Sequence, residues 1–381
     1  MSKVKYGMVG GHVDAFIGEV HRKGIAFDTR AQLVAGCFSS KEELNVKTAK
    51  AYWIDESRIY PCYEEMAKVE GEREDGIDFV VICTPNHLHY PVSKAFLEAG
   101  INVVCEKPLC FEVAEAEELA RLAKEKDLIF GVTHTYTGYV MPKVMREMVA
   151  EGKIGEIITV NAEYAQDWLM DLLDSSGSEG GDLSSWRLNP AQTGIANCVG
   201  DIGTHIENMV HYVTGLKIKR LLATTNKYGH ELDLNANIIV EYDNGANGAY
   251  WCSQVASGNM NGLKVRIYGT EGSLEWDQHQ PSEVRYTPKG EAPRILSRGC
   301  GYIPEKAHGF NRLPFGHPEG LYVAFANLYK SVITAILQKK AGEPISGEGL
   351  DFPTVEDGIN GVKFIHGVVS SAASGSKWVE L

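Results

Sequence analysis

Through the first third of the chain, short unbroken apolar runs alternate with stretches of helical period. The runs at 4–9, 32–38, 79–83, 102–105 and 129–133 read as strands, and 15–26, 41–52, 91–98 and 114–126 as helices. Strands as continuously apolar as Phe79-Val80-Val81-Ile82-Cys83 suit a parallel sheet buried on both faces, with helices on each side. Beyond about residue 131 the pattern changes. A helix over 142–151 leads into a longer strand over 157–164, and a polar Gly- and Ser-rich insertion fills 166–197. A second helix follows, closed by Gly215, and then strands at 217–225, 235–242, 248–255, 263–268 and 273–276. Asp243-Asn244-Gly245 and Gly269-Thr270-Glu271-Gly272 mark tight turns between them, so this sheet is mostly antiparallel. Helices over 321–338 and 355–373 end the chain.

The expected fold is thus α/β: an N-terminal Rossmann-type domain over 1–131, then an α+β domain with an open sheet over 132–381. Leu222, Ile238, Val240, Tyr250 and Trp251 make one face of that sheet apolar. Such a face is covered either by a second copy, giving a homo-oligomer, or by the chain itself.

Composition narrows the function classes. The 381 residues are 44% hydrophobic and 23% charged, with a formal net charge of -13. That charge disfavours nucleic acid and anionic membrane as partners. No uninterrupted apolar run reaches the roughly 18 residues that a membrane span needs. The first residues enter a strand with no secretory leader pattern, and the eight cysteines include no CxxC pair. The expectation is reduced thiols in the cytoplasm, with no metal held through them.

Glycines directly after the first strand suggest a dinucleotide turn, with pyrophosphate at the N-terminus of the following helix. The run Gly10-Gly11-His12-Val13-Asp14-Ala15 has His12 at the second glycine position of the fingerprint, while Ala15 fits the last and Phe16 opens the helix. A tight turn in any α/β protein would look similar. After the second strand, Ser39 and Ser40 stand where NAD-binding chains place an acid for the ribose. They suit a hydroxyl, a phosphate or a helix cap. No arginine is there to grip a 2′-phosphate, which favours NAD while leaving NADP open. Thr84-Pro85-Asn86-His87-Leu88-His89 and Glu106-Lys107-Pro108 follow later strands at the edge where such sheets bind ligands. A lysine there suits stabilisation of a developing alkoxide, or is a solvated surface residue.

Gly200-Asp201-Ile202-Gly203-Thr204-His205 opens the helix of the second domain. Asp201 and His205, four apart, share a helix face, which suits a carboxylate that orients a general acid–base. A helix cap beside a core histidine would give the same letters. In the insertion, Gln166-Asp167-Trp168 and Ser185-Trp186-Arg187 set tryptophans beside polar groups, as a sugar site would. They would equally pack the loop on itself. A long loop over 300–319 ends Pro314-Phe315-Gly316-His317-Pro318-Glu319-Gly320, and loops of that length are usually functional.

Taken together, the glycine turn, Thr84-Pro85-Asn86, Glu106-Lys107-Pro108 and the GDIGTH run resemble the glucose–fructose oxidoreductase, inositol dehydrogenase and rhizopine catabolism (Gfo/Idh/MocA) family over essentially the whole chain. The resemblance implies a Rossmann domain and a C-terminal sheet domain often used in oligomerisation. It implies Lys107, Asp201 and His205 as catalytic residues. Gly10, Gly11, His12, Ala15, Phe16, Ser39, Ser40, Thr84, Pro85, Asn86, His89, Glu106 and Lys107 are then the candidate cofactor residues. Within the family, Gln166-Asp167-Trp168, Trp186-Arg187 and His317-Pro318-Glu319-Gly320 resemble levoglucosan dehydrogenase and the glycoside 3-dehydrogenases, which implies oxidation at carbon 3 of a glucose-type ring. Tyr136, Asp167, Trp168, Trp186, Arg187, Asp201, His205 and His317 are the candidate substrate residues. An inositol dehydrogenase, a keto-sugar reductase and a non-catalytic dinucleotide-binding sensor are the rival expectations.

Overall fold

The computed structural model describes residues 3–174 and 186–381. They form two compact units, residues 1–138 with 321–359 and residues 139–320 with 360–381. In the first unit, β1 (Val4–Gly10), β2 (Ala31–Cys37), β3 (Phe79–Cys83), β4 (Asn102–Cys105) and β5 (Phe130–Val132) make a sheet in the order β2-β1-β3-β4-β5. Every pairing is parallel. All five residues of β3 are buried, as its unbroken apolar run requires. The helices are α1 (Phe16–Ala26), α2 (Glu42–Ala51), α3 (Tyr63–Glu72), α4 (His89–Glu98) and α5 (Val113–Glu125). The chain order reverses between β1 and β3, the place where open α/β sheets hold ligands at their carboxyl edge.

α3 carries too little apolar periodicity to be read from sequence. Only Met66, Ala67 and Glu70 of its residues are buried. The carboxylate of Glu70 is paired with Arg58, whose Nε lies 3.0 Å away, and accepts the Tyr60 hydroxyl at 2.7 Å. Part of that helix is therefore anchored by an ion pair rather than by an apolar stripe.

The second unit is built on α6 (Val140–Ala150), α7 (Thr204–Thr214) and a sheet of nine strands. They are β6 (Ile157–Ala165), β7 (Ile218–Asn226), β8 (Asn235–Tyr242), β9 (Asn247–Ser253), β10 (Gly262–Gly269), β11 (Gly272–Asp277), β12 (Glu283–Pro288), β13 (Arg294–Ser297) and β14 (Val379–Glu380). Their order is β13-β12-β11-β10-β6-β9-β8-β7-β14, antiparallel throughout except for β6 with β9. Among the described residues β13 is the edge strand on this side, paired only with β12, and neither strand alternates strongly enough to read from sequence.

The two faces of this sheet divide the expected apolar residues. Ile238, Val240 and Tyr250 are buried within the chain, Tyr250 with its ring 6.2 Å from that of Phe364. The opposite face carries Leu222, Ile239 and Trp251 among cross-strand ion pairs, Arg220–Glu241 at 2.6 Å and Arg266–Glu163 at 3.2 Å. Three of the five residues expected to make an apolar outer face thus belong to the core instead.

The expected boundary at 131 also needs correction. α8 (Leu321–Lys340) returns to the first unit, where Phe325, Tyr329, Val332, Ile333 and Ile336 join the core formed by Tyr6, Met8, Phe79 and Val81. It is long and apolar enough to cross a membrane, but 67% of that stretch is buried inside the protein. Its close seat on α1 depends on Gly24, where a Cβ would lie 2.8 Å from that of Phe325. α9 (Val355–Ala373) begins in the first unit and continues into the second.

Candidate functional site

The carboxyl edge of β1 forms a turn only glycine can make there. Gly10 and Gly11 have φ of 79° and 71°, the left-handed region. A Cβ on Gly10 would lie 2.7 Å from the Cys83 carbonyl oxygen. The close approach of α1 to this turn is made by Gly18, where a Cβ would lie 2.4 Å from Gly11 Cα. Gly18, not Ala15, therefore fills the helix-packing role in the fingerprint. Ala15 is the N-cap residue of α1, and Phe16 behind it is 66% exposed. The first turn of α1 leaves backbone N–H groups without helical partners, the feature that binds phosphate.

His12 turns onto its own loop, where its Nδ1 accepts the Asp14 N–H at 3.2 Å. The Asp14 carboxylate pairs with Lys47 at 3.2 Å, which offsets a charge that would be unfavourable beside a phosphate. Ser39 Oγ accepts the Lys41 N–H in the turn ahead of α2, Ser40 is exposed, and neither serine caps the helix, whose N-cap is Lys41. Next to Gly10, the Thr84 hydroxyl is buried with no hydrogen-bond partner among the described residues. A glycine cradle with an orphaned hydroxyl and an open helix N-terminus fits a dinucleotide. Pro85 precedes the turn Asn86–Leu88, and Asn86 is buried in it. His89 is a staple rather than a ligand residue. Its ring nitrogens face the Pro108 and Thr84 carbonyl oxygens at 2.7 and 3.0 Å, and burial pushes its pKa down.

Lys107 leaves β4 beside a rigid carboxylate. Glu106 takes the His21 ring at 3.0 Å, the Thr133 hydroxyl at 2.6 Å and the Lys107 backbone N–H at 3.2 Å. His21 is held from its other side by the Tyr329 hydroxyl at 2.5 Å. Burial works to raise the Glu106 carboxyl, but the His21 bond and charge, the Lys107 charge and the Thr133 bond outweigh it and hold it down to about 2. The residue after Lys107 is joined through a cis peptide. His134, buried nearby, is pushed down to about 3, first by burial and then by the Lys107 charge. Tyr136 is buried in the turn Thr135–Gly138.

The second unit gathers a polar and aromatic cluster. The GDIG residues do not begin an α-helix. Val199–Gly203 is a π-helical turn, which hands over to α7 at Thr204. Asp201 lies on that turn and His205 in the first turn of α7. Asp201 Oδ2 accepts the Gln254 side-chain N–H at 2.8 Å and has Arg187 Nε at 3.8 Å. His205 is buried, with its ring 6.0 Å from that of Tyr164. The Arg187 guanidinium stacks on both tryptophans of the insertion, 4.6 Å from the Trp186 ring and 5.8 Å from that of Trp168. Trp168 Nε1 donates to Gln166 Oε1 at 2.9 Å, while Gln166 and Tyr164 both donate to Asn261 Oδ1 at 2.7 Å.

The structure thus brings Trp168, Trp186, Arg187 and Asp201 together, with His205 against Tyr164. It sets two expected residues aside. Asp167 accepts the Gly258 N–H at 3.0 Å and fastens a turn, and His317 is exposed on a turn of its own. The buried residue of that last motif is Glu319, which accepts the Arg312 and Leu313 N–H groups and pairs with Arg298 at 3.3 Å. Ser185 lies outside the described residues. Tyr164, Asn261 and Gln254 were not read as site residues. Gln254 continues the buried alternation of Tyr250 and Cys252 past the end of β9, and a polar residue in that phase was the available signal. A carboxylate, a buried imidazole and tryptophans stacked on a guanidinium are thus gathered in one unit, groups able to bond hydroxyls and to face an apolar ring.

Comparison with known proteins gives the family. Residues 4–134 match the model of an oxidoreductase family with an NAD-binding Rossmann fold, and residues 143–275 that of the GFO/IDH/MocA C-terminal domain. An uncharacterised oxidoreductase of Bacillus subtilis is 36% identical over 99% of this chain and 96% of its own. Levoglucosan dehydrogenase of Pseudarthrobacter phenanthrenivorans is 26% identical over 80% of each chain. Among solved structures, an inositol dehydrogenase homologue of Azotobacter vinelandii, in complex with NADH and myo-inositol, superposes with a TM-score of 0.93 at 34% identity, covering 100% of this chain and 98% of that one.

Proposed function

The chain belongs to the GFO/IDH/MocA family of NAD-binding oxidoreductases, and from that premise we propose that it is a dehydrogenase of a ring hydroxyl, at carbon 3 of a glucoside or related pyranose. The observation that carries this is the cluster in the second unit, where the Asp201 carboxylate, Arg187 and the ring of Trp168, 39% exposed, lie together. An aromatic face takes the apolar side of a sugar ring, and charged groups take its hydroxyls. Gly10, Gly11, the first turn of α1, Ser39, Ser40 and Thr84 hold the dinucleotide. NAD supplies the hydride acceptor when bound. His205 takes the hydroxyl proton, Asp201 orients that imidazole, and Lys107 stabilises developing alkoxide charge. A cyclic polyol is the second reading, favoured by the myo-inositol bound to the Azotobacter relative.

Reduction of NAD and NADP is to be followed with glucose, alkyl glucosides, levoglucosan and myo-inositol, and the keto carbon mapped by NMR. Turnover is expected with a pyranose and NAD, giving a 3-keto product. Oxidation at another carbon, or of myo-inositol alone, rejects the carbon-3 assignment, and bound dinucleotide with no turnover of any substrate points to a sensor. Trp168→Ala should raise KM about tenfold with a smaller change in kcat, the mark of stacking that is equal in ground and transition states.

The chain also forms a homo-oligomer in this reading, through the sheet face that carries Leu222, Ile239 and Trp251. Light scattering that finds a fully active monomer at assay concentration rejects it. All eight cysteines are free thiols, six of them buried, which supports a reducing cytoplasmic setting.

A further inference from the structure

A chain of hydrogen bonds inside the second unit leads to Asp201. It starts at the buried Asp233, whose carboxylate accepts the backbone N–H groups of Asn197 and Val199, each at 2.8 Å. The Asp233 carbonyl accepts the Cys198 N–H at 3.1 Å. These bonds fasten 197–199 just ahead of the π-helical turn. Asn197 Nδ2 donates to the Asp233 carbonyl at 3.3 Å and to Gln254 Oε1 at 2.7 Å. Gln254 Nε2 then donates to Asp201 Oδ2 at 2.8 Å. Asn197 and Gln254 are wholly buried, so neither touches a ligand.

The far end of this chain decides which way every bond points. A backbone carbonyl only accepts, so the nitrogen of the Asn197 amide must face it. That same nitrogen needs the oxygen of Gln254, which leaves the Gln254 NH2 group for Asp201. Asn197 Oδ1 is buried without a hydrogen-bond partner among the described residues, so its nitrogen alone orients this amide. An NH2 group cannot accept, and a donor aimed at a carboxyl favours the carboxylate over the acid. Among the described residues, the titratable groups around Asp201 include Arg187 at 3.8 Å, Cys198, whose thiol feels the Asp201 charge, Asp233 beyond the two amides, and His205 on α7 with Tyr164 against it.

We propose that Gln254 is a positioning residue for the reaction: aimed by Asn197 and Asp233, it holds Asp201 as a carboxylate with Oδ2 turned to the amide, so that His205 alone exchanges the proton. This rests on the dehydrogenase reading of Asp201 and His205. It separates two groups that sequence spacing treats as one acid–base pair.

The test is an NMR titration of the full-length protein labelled with 13C at aspartate Cγ, with Asp201→Asn to identify the resonance. Asp201 is expected to take up its proton at higher pH in Gln254→Leu than in the wild type. In the nearly isosteric Gln254→Glu it does so at higher pH still, sharing the proton with the new carboxyl. With levoglucosan or myo-inositol and NAD, kcat of Gln254→Leu falls roughly tenfold to a hundredfold near neutral pH. Its ratio to the wild-type kcat at the same pH recovers in part as the pH rises, which a loss of packing alone would not do. The same Asp201 titration in all three proteins overturns the proposal. Asp201→Asn with wild-type turnover sinks the underlying reading instead, and the two failures are distinct because the titration uses no substrate.

Discussion

Replacing His205 with alanine is expected to lower kcat by about 10²–10⁴-fold, the usual contribution of a positioned general base. The imidazole is buried in the first turn of α7 against the Tyr164 ring, beside a π-helical turn that carries the Asp201 carboxylate. Substrate oxidation by the wild type should speed up with pH as the imidazole loses its proton, because only the neutral ring accepts one. The variant should lose that dependence. Its NAD affinity should match the wild type, since the glycine cradle is built from other residues. A variant with near-normal kcat and an unchanged pH profile would show that the base lies elsewhere. His134 is then a poor substitute, because burial and the Lys107 charge push it down to about 3. Tyr136 and Tyr164 would be examined instead.

Gly18→Ala should weaken NAD binding roughly tenfold to a hundredfold, the worth of a hydrogen bond or two from the helix N-terminus to a charged phosphate. The new Cβ would lie 2.4 Å from Gly11 Cα and 2.7 Å from the Gly11 oxygen. Both are backbone atoms of the phosphate turn, so no side chain can swing aside. Either α1 moves away from the turn or the turn opens, and the helix N-terminus leaves its place. The accompanying loss of stability should be about 1–3 kcal/mol, as for other overpacked sites. Gly24→Ala is the control, because its Cβ meets Phe325 on α8 and not the turn. It should lose stability in urea while keeping its calorimetric NAD affinity. Wild-type affinity in Gly18→Ala would show that this approach does not shape the site.

Periodicity made the parallel sheet and the long second-unit strands legible. β3 is apolar at every position, and β8 alternates cleanly along its length. It could not reveal α3, whose buried Glu70 is neutralised by a partner twelve residues away. The outer sheet face was misjudged for a related reason. Alternation says that two faces differ, but Ile238 and Ile239 are adjacent and equally apolar, and only packing distinguishes them. In the candidate site, Lys107, Asp201 and His205 stand out because charged or titratable residues follow strand ends and glycines. Gln254 and Asn197 do not, since an amide carries no sequence signature for the direction in which it donates. The fingerprint misled at Ala15, because the glycine that lets α1 approach the turn lies three residues further on.

The return of α8 to the first unit bears on the order in which a growing chain can fold. Emerging from a ribosome, the dinucleotide unit has all five of its strands by Val132. Its core still lacks Phe325, Tyr329, Val332 and Ile333. The His21 ring, and through it Glu106, also lacks its Tyr329 partner. Nearly all the strands of the second sheet, β6 to β13, leave the ribosome before that helix does. N-terminal domains ordinarily finish folding first during synthesis. Here the N-terminal unit is started first and completed late, and for most of translation it exposes an apolar groove where α8 will lie.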